Sequence, residues 1–177
     1  MNDNILELLV EQVINDFSLD RKYFEAVERG DEELLQKMVK SHAINNGYSV
    51  EAWHGTPKGG FNKFRPGGFG PLFFFAKEKH YGDYYSSRFV DAPSPTTYHV
   101  FLKMDTPKSM ENVGQQEDKM LAYRTRKEGF DSIETPNAYV VFIDDQIKLA
   151  DPITTDNKKN IIPLSKRFDS SNSDIRY

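Results

Sequence analysis

The apolar periodicity of this chain changes once, at Tyr48, and that change restricts it to a mixed architecture. Upstream, Ile5, Leu6, Leu9, Val10, Val13, Ile14 and Phe17 recur at spacings of three and four, the signature of one helical stripe. A second helix is expected from Asp20 to Arg29, stopping at Gly30. A third runs from Glu32 to Asn46, capped by Asp31, with Leu34, Leu35, Met38 and Val39 inward and Asn45-Asn46-Gly47 as its stop. Downstream the helical pattern gives way to short strands: Tyr48–Trp53, Leu72–Ala76, Thr96–Lys103, Phe130–Glu134, Tyr139–Ile143 and Gln146–Leu149. A helix is expected over Lys77–Phe89, and a partly helical stretch over Met110–Glu128. Helices in front and short strands behind predict an α+β fold, not alternating α/β. The tail from Asp151 is polar, with Ile161, Ile162, Leu164 and Phe168 as its exceptions.

A chain of 177 residues suits one domain. Residues 1–46 therefore form a helical segment of the same domain as residues 47–177. The formal charge of −4 gives no global argument for nucleic-acid binding, although a local basic strip remains compatible with it. No stretch approaches the ~20 apolar residues of a membrane span, so no membrane partner is expected. The opening Met1-Asn2-Asp3-Asn4 lacks the character of a secretory signal. With zero cysteines there is no disulfide, thiolate metal site or cysteine nucleophile. A cytoplasmic location is the expectation.

Three segments carry chemistry. In Trp53-His54-Gly55-Thr56 an imidazole sits at an expected strand end, beside backbone that a ligand can approach closely. Gly70-Pro-Leu-Phe-Phe-Phe-Ala76 leads into a helix carrying Tyr81, Tyr84 and Tyr85, whose rings could stack on a planar group. Phe130-Asp131-Ser132-Ile133 continues to Ala138-Tyr139-Val140-Val141-Phe142 and Asp145-Gln146-Ile147-Lys148. Each alone reads as ordinary sheet and helix.

Taken in this order, the three resemble the ADP-ribosyltransferase fold of the His-Tyr-Glu type. They are most similar to the small bacterial and phage group found as a module in polyvalent phage proteins. Phe61-Asn-Lys-Phe64, Ile162-Pro-Leu-Ser-Lys-Arg-Phe168 and Ser173-Asp-Ile-Arg-Tyr177 extend the resemblance over roughly residues 25–177. It implies a split pair of β-sheets around an NAD+ cleft, with NAD+ as substrate and no metal. His54 would hold a ribose hydroxyl and Gly55 backbone the carboxamide, with Thr56 beside them. Tyr85, with Phe74 beneath, would stack on nicotinamide, Tyr84 and Tyr81 being the fallbacks. The resemblance further implies transfer to a protein or nucleic-acid acceptor, a toxin or phage-defence role, and a neutralising antitoxin-like partner.

The departure from the pattern is Ala138, which stands where the family carries its catalytic glutamate. Cleavage of the nicotinamide–ribose bond passes through an oxocarbenium-like state. A carboxylate there accepts a hydrogen bond from the ribose 2′-hydroxyl and can orient the acceptor. Alanine does neither, so the chain as it stands is expected to be inactive or strongly impaired. Three explanations compete: an engineered Glu→Ala exchange (preferred, because its neighbours are intact), a natural pseudoenzyme, and a relocated carboxylate with Glu134 nearest. A binding module that recognises NAD+ or a macromolecule, and an NAD+ glycohydrolase, are the rival functions.

Lys63 and Arg65 lie where a pyrophosphate or an acceptor could meet them. Gly67-Gly68-Phe69-Gly70 is a glycine-rich loop without the Gly-Lys-Ser/Thr of a phosphate loop. Lys119, Arg124, Arg126 and Lys127 form a basic patch read mainly as a solvated helix face. His80 and His99 lack metal-ligand company.

Overall fold

The computed structural model describes residues 3–66, 70–88, 91–113 and 120–177, and the side chains of this set from residue 10 onward. Gly67, Gly68 and Phe69 of the glycine loop and Lys119 of the basic patch lie outside the described residues. The element order is α1 (Asp3–Arg29), α2 (Glu32–Asn45), β1 (Val50–Thr56), β2 (Phe73–Ala76), α3 (Lys79–Ser87), β3 (Thr96–Leu102), β4 (Pro107–Ser109), α4 (Leu121–Lys127), β5 (Ser132–Glu134), β6 (Ala138–Val141) and β7 (Ile147–Leu149). The class is α+β, as the change of periodicity predicted.

The two helices expected before Gly30 are one, a 27-residue α1. The helix continues through the boundary expected before Asp20, and Asp20 is used in the tertiary structure. Its carboxylate accepts from the backbone N–H and the hydroxyl of Ser165, at 2.8 and 2.6 Å. Gly30 (φ +65°) then ends α1, with the Asp31 N–H returning to the Ala26 carbonyl. Asp31 caps α2 as expected, accepting from Leu34 N–H at 3.1 Å. Among the described side chains of α1, Tyr23 and Ala26 join the core, with Leu19 and Val27 beside them. Val10, Val13, Ile14 and Phe17 stay on the surface, all more than half exposed, and Ile5, Leu6 and Leu9 of the expected stripe lie outside the described side chains.

All seven strands form one sheet in the order β4-β5-β6-β2-β1-β3-β7. The separate pair of sheets implied by the resemblance is therefore corrected to a single sheet. That sheet has a weak seam, however. β1 pairs with β3 through seven residue pairs, whereas β1 meets β2 only at Trp53↔Ala76. Beyond that pair the edge of β1 carrying His54, Gly55 and Thr56 diverges from β2. β4, a three-residue strand opening on Pro107, runs parallel to β5 at the sheet edge and gave no sequence signal.

Three packed clusters support this frame. α1 and α2 pack with Phe101, Ala150, Leu164 and Phe168. Phe64, Phe73, Phe75, Val100, Leu102, Ile147 and Ile175 form the centre. Leu72, Ile133, Val140 and Phe142 close over Ala122 of α4.

The tail is less polar in effect than in composition. Arg167, 2% exposed, donates to the carbonyls of Leu149 and Asp151, both at 2.9 Å, and more distantly to that of Pro152. Lys148, 1% exposed, donates to the carbonyls of Asn172 and Asp174. Burial pulls its ammonium down to about 8, against the pull of Asp169, Asp145, Asp174 and Asp144. The neighbouring Gln146 side chain accepts from Phe142 and Ile143 N–H and donates to the Lys103 and Asp131 carbonyls. Gln146-Ile147-Lys148 is thus a structural motif that ties the last strand to the tail.

Candidate functional site

β1 runs to Thr56, two residues past the point where His54 was expected to end it. His54 therefore sits within the strand, at the place where β1 and β2 part. Its Nδ1 lies 2.9 Å from the Phe74 carbonyl. A carbonyl only accepts, so Nδ1 carries the proton and Nε2 keeps its lone pair. The ring is fixed laterally by Phe64 (centroids 4.9 Å apart, edge-on) and Phe75 (5.5 Å). Burial holds its pKa below the ordinary 6.5, the Phe74 bond opposing this more weakly, so the imidazole is neutral at pH 7.

Gly55 has a packing reason to be glycine. A Cβ built on it would lie 1.9 Å from the Gly82 carbonyl oxygen and 2.7 Å from Ser86 N. Gly82 in turn has room for a Cβ only at 3.0 Å from Trp53 Cβ and Thr97 Cγ2. This close crossing lays α3 on β1 by its small face, with Gly82 and Ser86 buried, and turns its tyrosines the other way.

Those tyrosines meet the third segment. His54, Gly55, Phe74, Phe75, Ala76, Tyr81, Tyr85, Arg88, Asn137 and Ala138 line one cavity of about 630 Å³. Ala138 opens β6 directly opposite Ala76 on β2, so two methyl groups face each other across the strands at this wall. A second cavity, about 560 Å³, adjoins it and shares His54 and Phe74. Thr56, Phe61, Asn62, Lys63, Phe64, Arg65, Leu72 and Phe73 complete its lining. Both volumes fall in the range of small-molecule sites.

The structure thus brings His54, Gly55, Phe74, Tyr85 and Ala138 to one cavity, and His54, Thr56, Phe74 and Arg65 to the next. Of the three tyrosines, Tyr81 and Tyr85 line the first cavity. Tyr84 lines neither and is 60% exposed, so the alternative helix register falls away. Glu134, the nearest candidate for a relocated carboxylate, does not line the Ala138 cavity. It lies on β5, pairs with Tyr139, and is held by the Lys77 ammonium at 2.6 Å. Thr135 closes the turn between them, its backbone and hydroxyl bonded to Ala138. Among the described residues no carboxylate lines the Ala138 cavity.

Sequence reasoning missed Arg88 and Asn137. Arg88 lies one helical turn past Tyr84 and Tyr85, with its guanidinium 5.1 Å from the Tyr85 ring centroid. Asn137 precedes Ala138 in the turn, and nothing in its local pattern set it apart. Lys63 is paired with Asp144 at 3.1 Å, whereas Arg65 makes no ion pair or hydrogen bond among the described residues. A separate cavity of about 220 Å³, between Lys103, Arg126, Asp131 and Asp145, contains none of the expected site residues. Among the described residues no His/Asp/Glu group could hold a metal ion, and no helix is long and apolar enough to cross a membrane. His80 pairs with Glu78 and His99 with Glu51.

Two depressed histidines set the acid response of the fold. His54 and His42 both have their pKa lowered, in each case chiefly by burial. Below the unfolded value of 6.5 the unfolded chain binds protons that the folded chain resists, so stability falls as pH falls. Between pH 7.5 and 5.5 the urea midpoint is expected to drop, with a slope of at most about 1.4 kcal/mol per pH unit for each histidine. Replacing His54 by Gln makes that slope shallower. A profile that is flat or rises on acidification contradicts the assignment of neutral, partly buried rings.

Comparison with protein-family models, curated proteins and solved structures yields no match for this chain.

Proposed function

We propose that the chain is an ADP-ribosyltransferase-like protein whose substrate is NAD+, bound across the two adjoining cavities. The observation that carries this reading is the convergence of His54, Tyr85 and position 138 on one cavity, from three segments far apart in sequence. The seam beside His54 supports it too, because it leaves strand edge open to a ligand where the family opens its cleft.

In this reading the nicotinamide end lies between Tyr85 and the wall made by Phe74 and Ala138, and the ring stacks on Tyr85. The unprotonated Nε2 of His54 accepts from a ribose hydroxyl, a role its burial-enforced neutrality allows over the whole physiological range. The remainder of the dinucleotide runs into the second cavity, where Arg65 can meet the pyrophosphate. Transfer breaks the bond from ribose C1′ to the nicotinamide nitrogen. The leaving group takes the electron pair as neutral nicotinamide, and the acceptor's nucleophile bonds to C1′. The oxocarbenium-like state between has no carboxylate partner while position 138 is alanine. The chain as it stands is read as a binder of NAD+ with little turnover. A toxin or phage-defence role, with a neutralising partner, rests on the family resemblance alone.

The test is NAD+ binding by isothermal titration calorimetry. Binding is expected for the chain as it stands, with His54→Ala weakening it by about 10-fold or more through a lost hydrogen bond and an orphaned Phe74 carbonyl. Absence of NAD+ binding, by a chain whose circular dichroism shows it folded, overturns the reading.

A further inference from the structure

α3 carries its large side chains on the wrong face for a helix packed on a sheet. Tyr81, Tyr84, Tyr85 and Arg88 fall at i, i+3, i+4 and i+7, the spacing of a stripe that normally faces the core. Here Gly82 and Ser86 face the sheet, and the tyrosines stand 42%, 60% and 48% exposed. Tyr81, Tyr85 and Arg88 reach the Ala138 cavity, while Tyr84 continues the stripe beyond its rim, edge-on to Tyr85 at 5.5 Å. His80 adds a ring 4.1 Å from that of Tyr81. Neither core packing nor the cavity accounts for Tyr84.

The segment that carries this stripe has a charge of the opposite sign to that of the molecule. Residues 54–88 hold six basic side chains (Lys58, Lys63, Arg65, Lys77, Lys79, Arg88) against two acidic ones (Glu78, Asp83), in a chain of net charge −4. Lys63, Lys77 and Lys79 are engaged by Asp144, Glu134 and Asp83. Lys58 and Arg65 make no ion pair among the described residues. Exposed rings in series, each presenting a π-face, with Arg88 against Tyr85 and on a segment rich in cations, form the combination that holds single-stranded nucleic acid.

We propose that the exposed face of α3 is a platform for single-stranded nucleic acid, and that a base of that strand is the acceptor of the ADP-ribosyl group. The second clause rests on the function proposed above. One base stacks on Tyr84, the strand's phosphates meet Arg88, and the next base reaches the mouth of the cavity. There a base nitrogen would bond to ribose C1′ as nicotinamide leaves with the electron pair. Its displaced proton would pass to a carboxylate at position 138 or, without one, to water. A protein acceptor could also use tyrosine and arginine anchors, but the net positive charge of residues 54–88 favours a polyanion.

Fluorescence anisotropy with a fluorescein-labelled 20-nucleotide mixed-sequence DNA strand, the same sequence as RNA, and its DNA duplex tests the platform. NAD+ titration of each variant runs in parallel. Expected are binding of a single strand in preference to duplex, a loss of affinity from 50 to 200 mM salt, and weakening by Tyr84→Ala of about fivefold to a hundredfold. Tyr84→Ala should leave NAD+ affinity unchanged, because Tyr84 lies outside both cavities. No binding of either single strand, equal binding of duplex, or indifference to Tyr84→Ala overturns the platform. If NAD+ still binds in those cases, the function proposed above stands and a protein acceptor takes the strand's place. Single-strand binding through Tyr84 without NAD+ binding supports the platform and overturns the transferase.

Discussion

Ala138→Glu is expected to raise NAD+ consumption by about 10²–10³ over the chain as it stands, the scale on which one preorganised transition-state partner acts in other enzymes. The site has room for the change. Position 138 lines a cavity of about 630 Å³, and its cross-strand neighbour is Ala76, so the longer side chain meets no bulky group across β2. The new carboxylate would stand in the cavity that contains Tyr85 and His54, where a positive charge at ribose C1′ would develop. Ala138→Gln supplies the same length and polarity without the charge, and should recover little of the gain. Release of nicotinamide from NAD+, measured for all three forms, decides the matter. If the Glu and Gln forms both bind NAD+ and neither consumes it, the fold is a binding module and the catalytic reading is wrong. If Gln matches Glu, charge stabilisation is not the missing function.

Arg167→Met should destabilise the protein by about 3–5 kcal/mol, the cost of leaving three carbonyls without their donor. The guanidinium serves three carbonyls, of Leu149, Pro152 and Asp151. Methionine fills much of the space and donates to none of them. At about 2–4 °C per kcal/mol for a chain of this size, the melting temperature falls by on the order of 10 °C. Arg167→Lys restores the charge but not the fork and should recover only part of the loss. A drop below about 1 kcal/mol in urea titration would mean that the tail is held by its apolar residues alone.

Much of the fold was legible because its signals are local. α2 follows from Asp31, which caps Leu34 N–H, and from the glycines at 30 and 47, both at positive φ. β3 follows from the alternating run after the Pro-rich turn. Features decided by distant partners were not legible. Asp20 read as the start of a second helix, because its purpose is Ser165, far along the chain. The burial of Lys148 and Arg167 had no local signal, because it depends on carbonyls of segments that the sequence could not place. The cleft was readable as an ordered set of residue types, but its details were not. Choosing Tyr85 over Tyr84 needed the helix register, which the Gly55–Gly82 crossing sets. The resemblance fell short at the sheet, where two layers were expected and one sheet joined at a single pair was found.

That single pair divides the molecule mechanically. β3, β1 and β7 are stitched along their lengths, as are β2, β6 and β5, and Trp53↔Ala76 alone joins the two panels by sheet pairing. Parting the sheet along this line breaks the fewest ladder pairs, and backbone amides beside it are expected to exchange with solvent before those deep in either panel. His54 and Gly55 belong to one panel, and Phe74 and Ala138 to the other. A ligand that grips both sides acts as a second stitch, so the molecule is stiffest when its cleft is full.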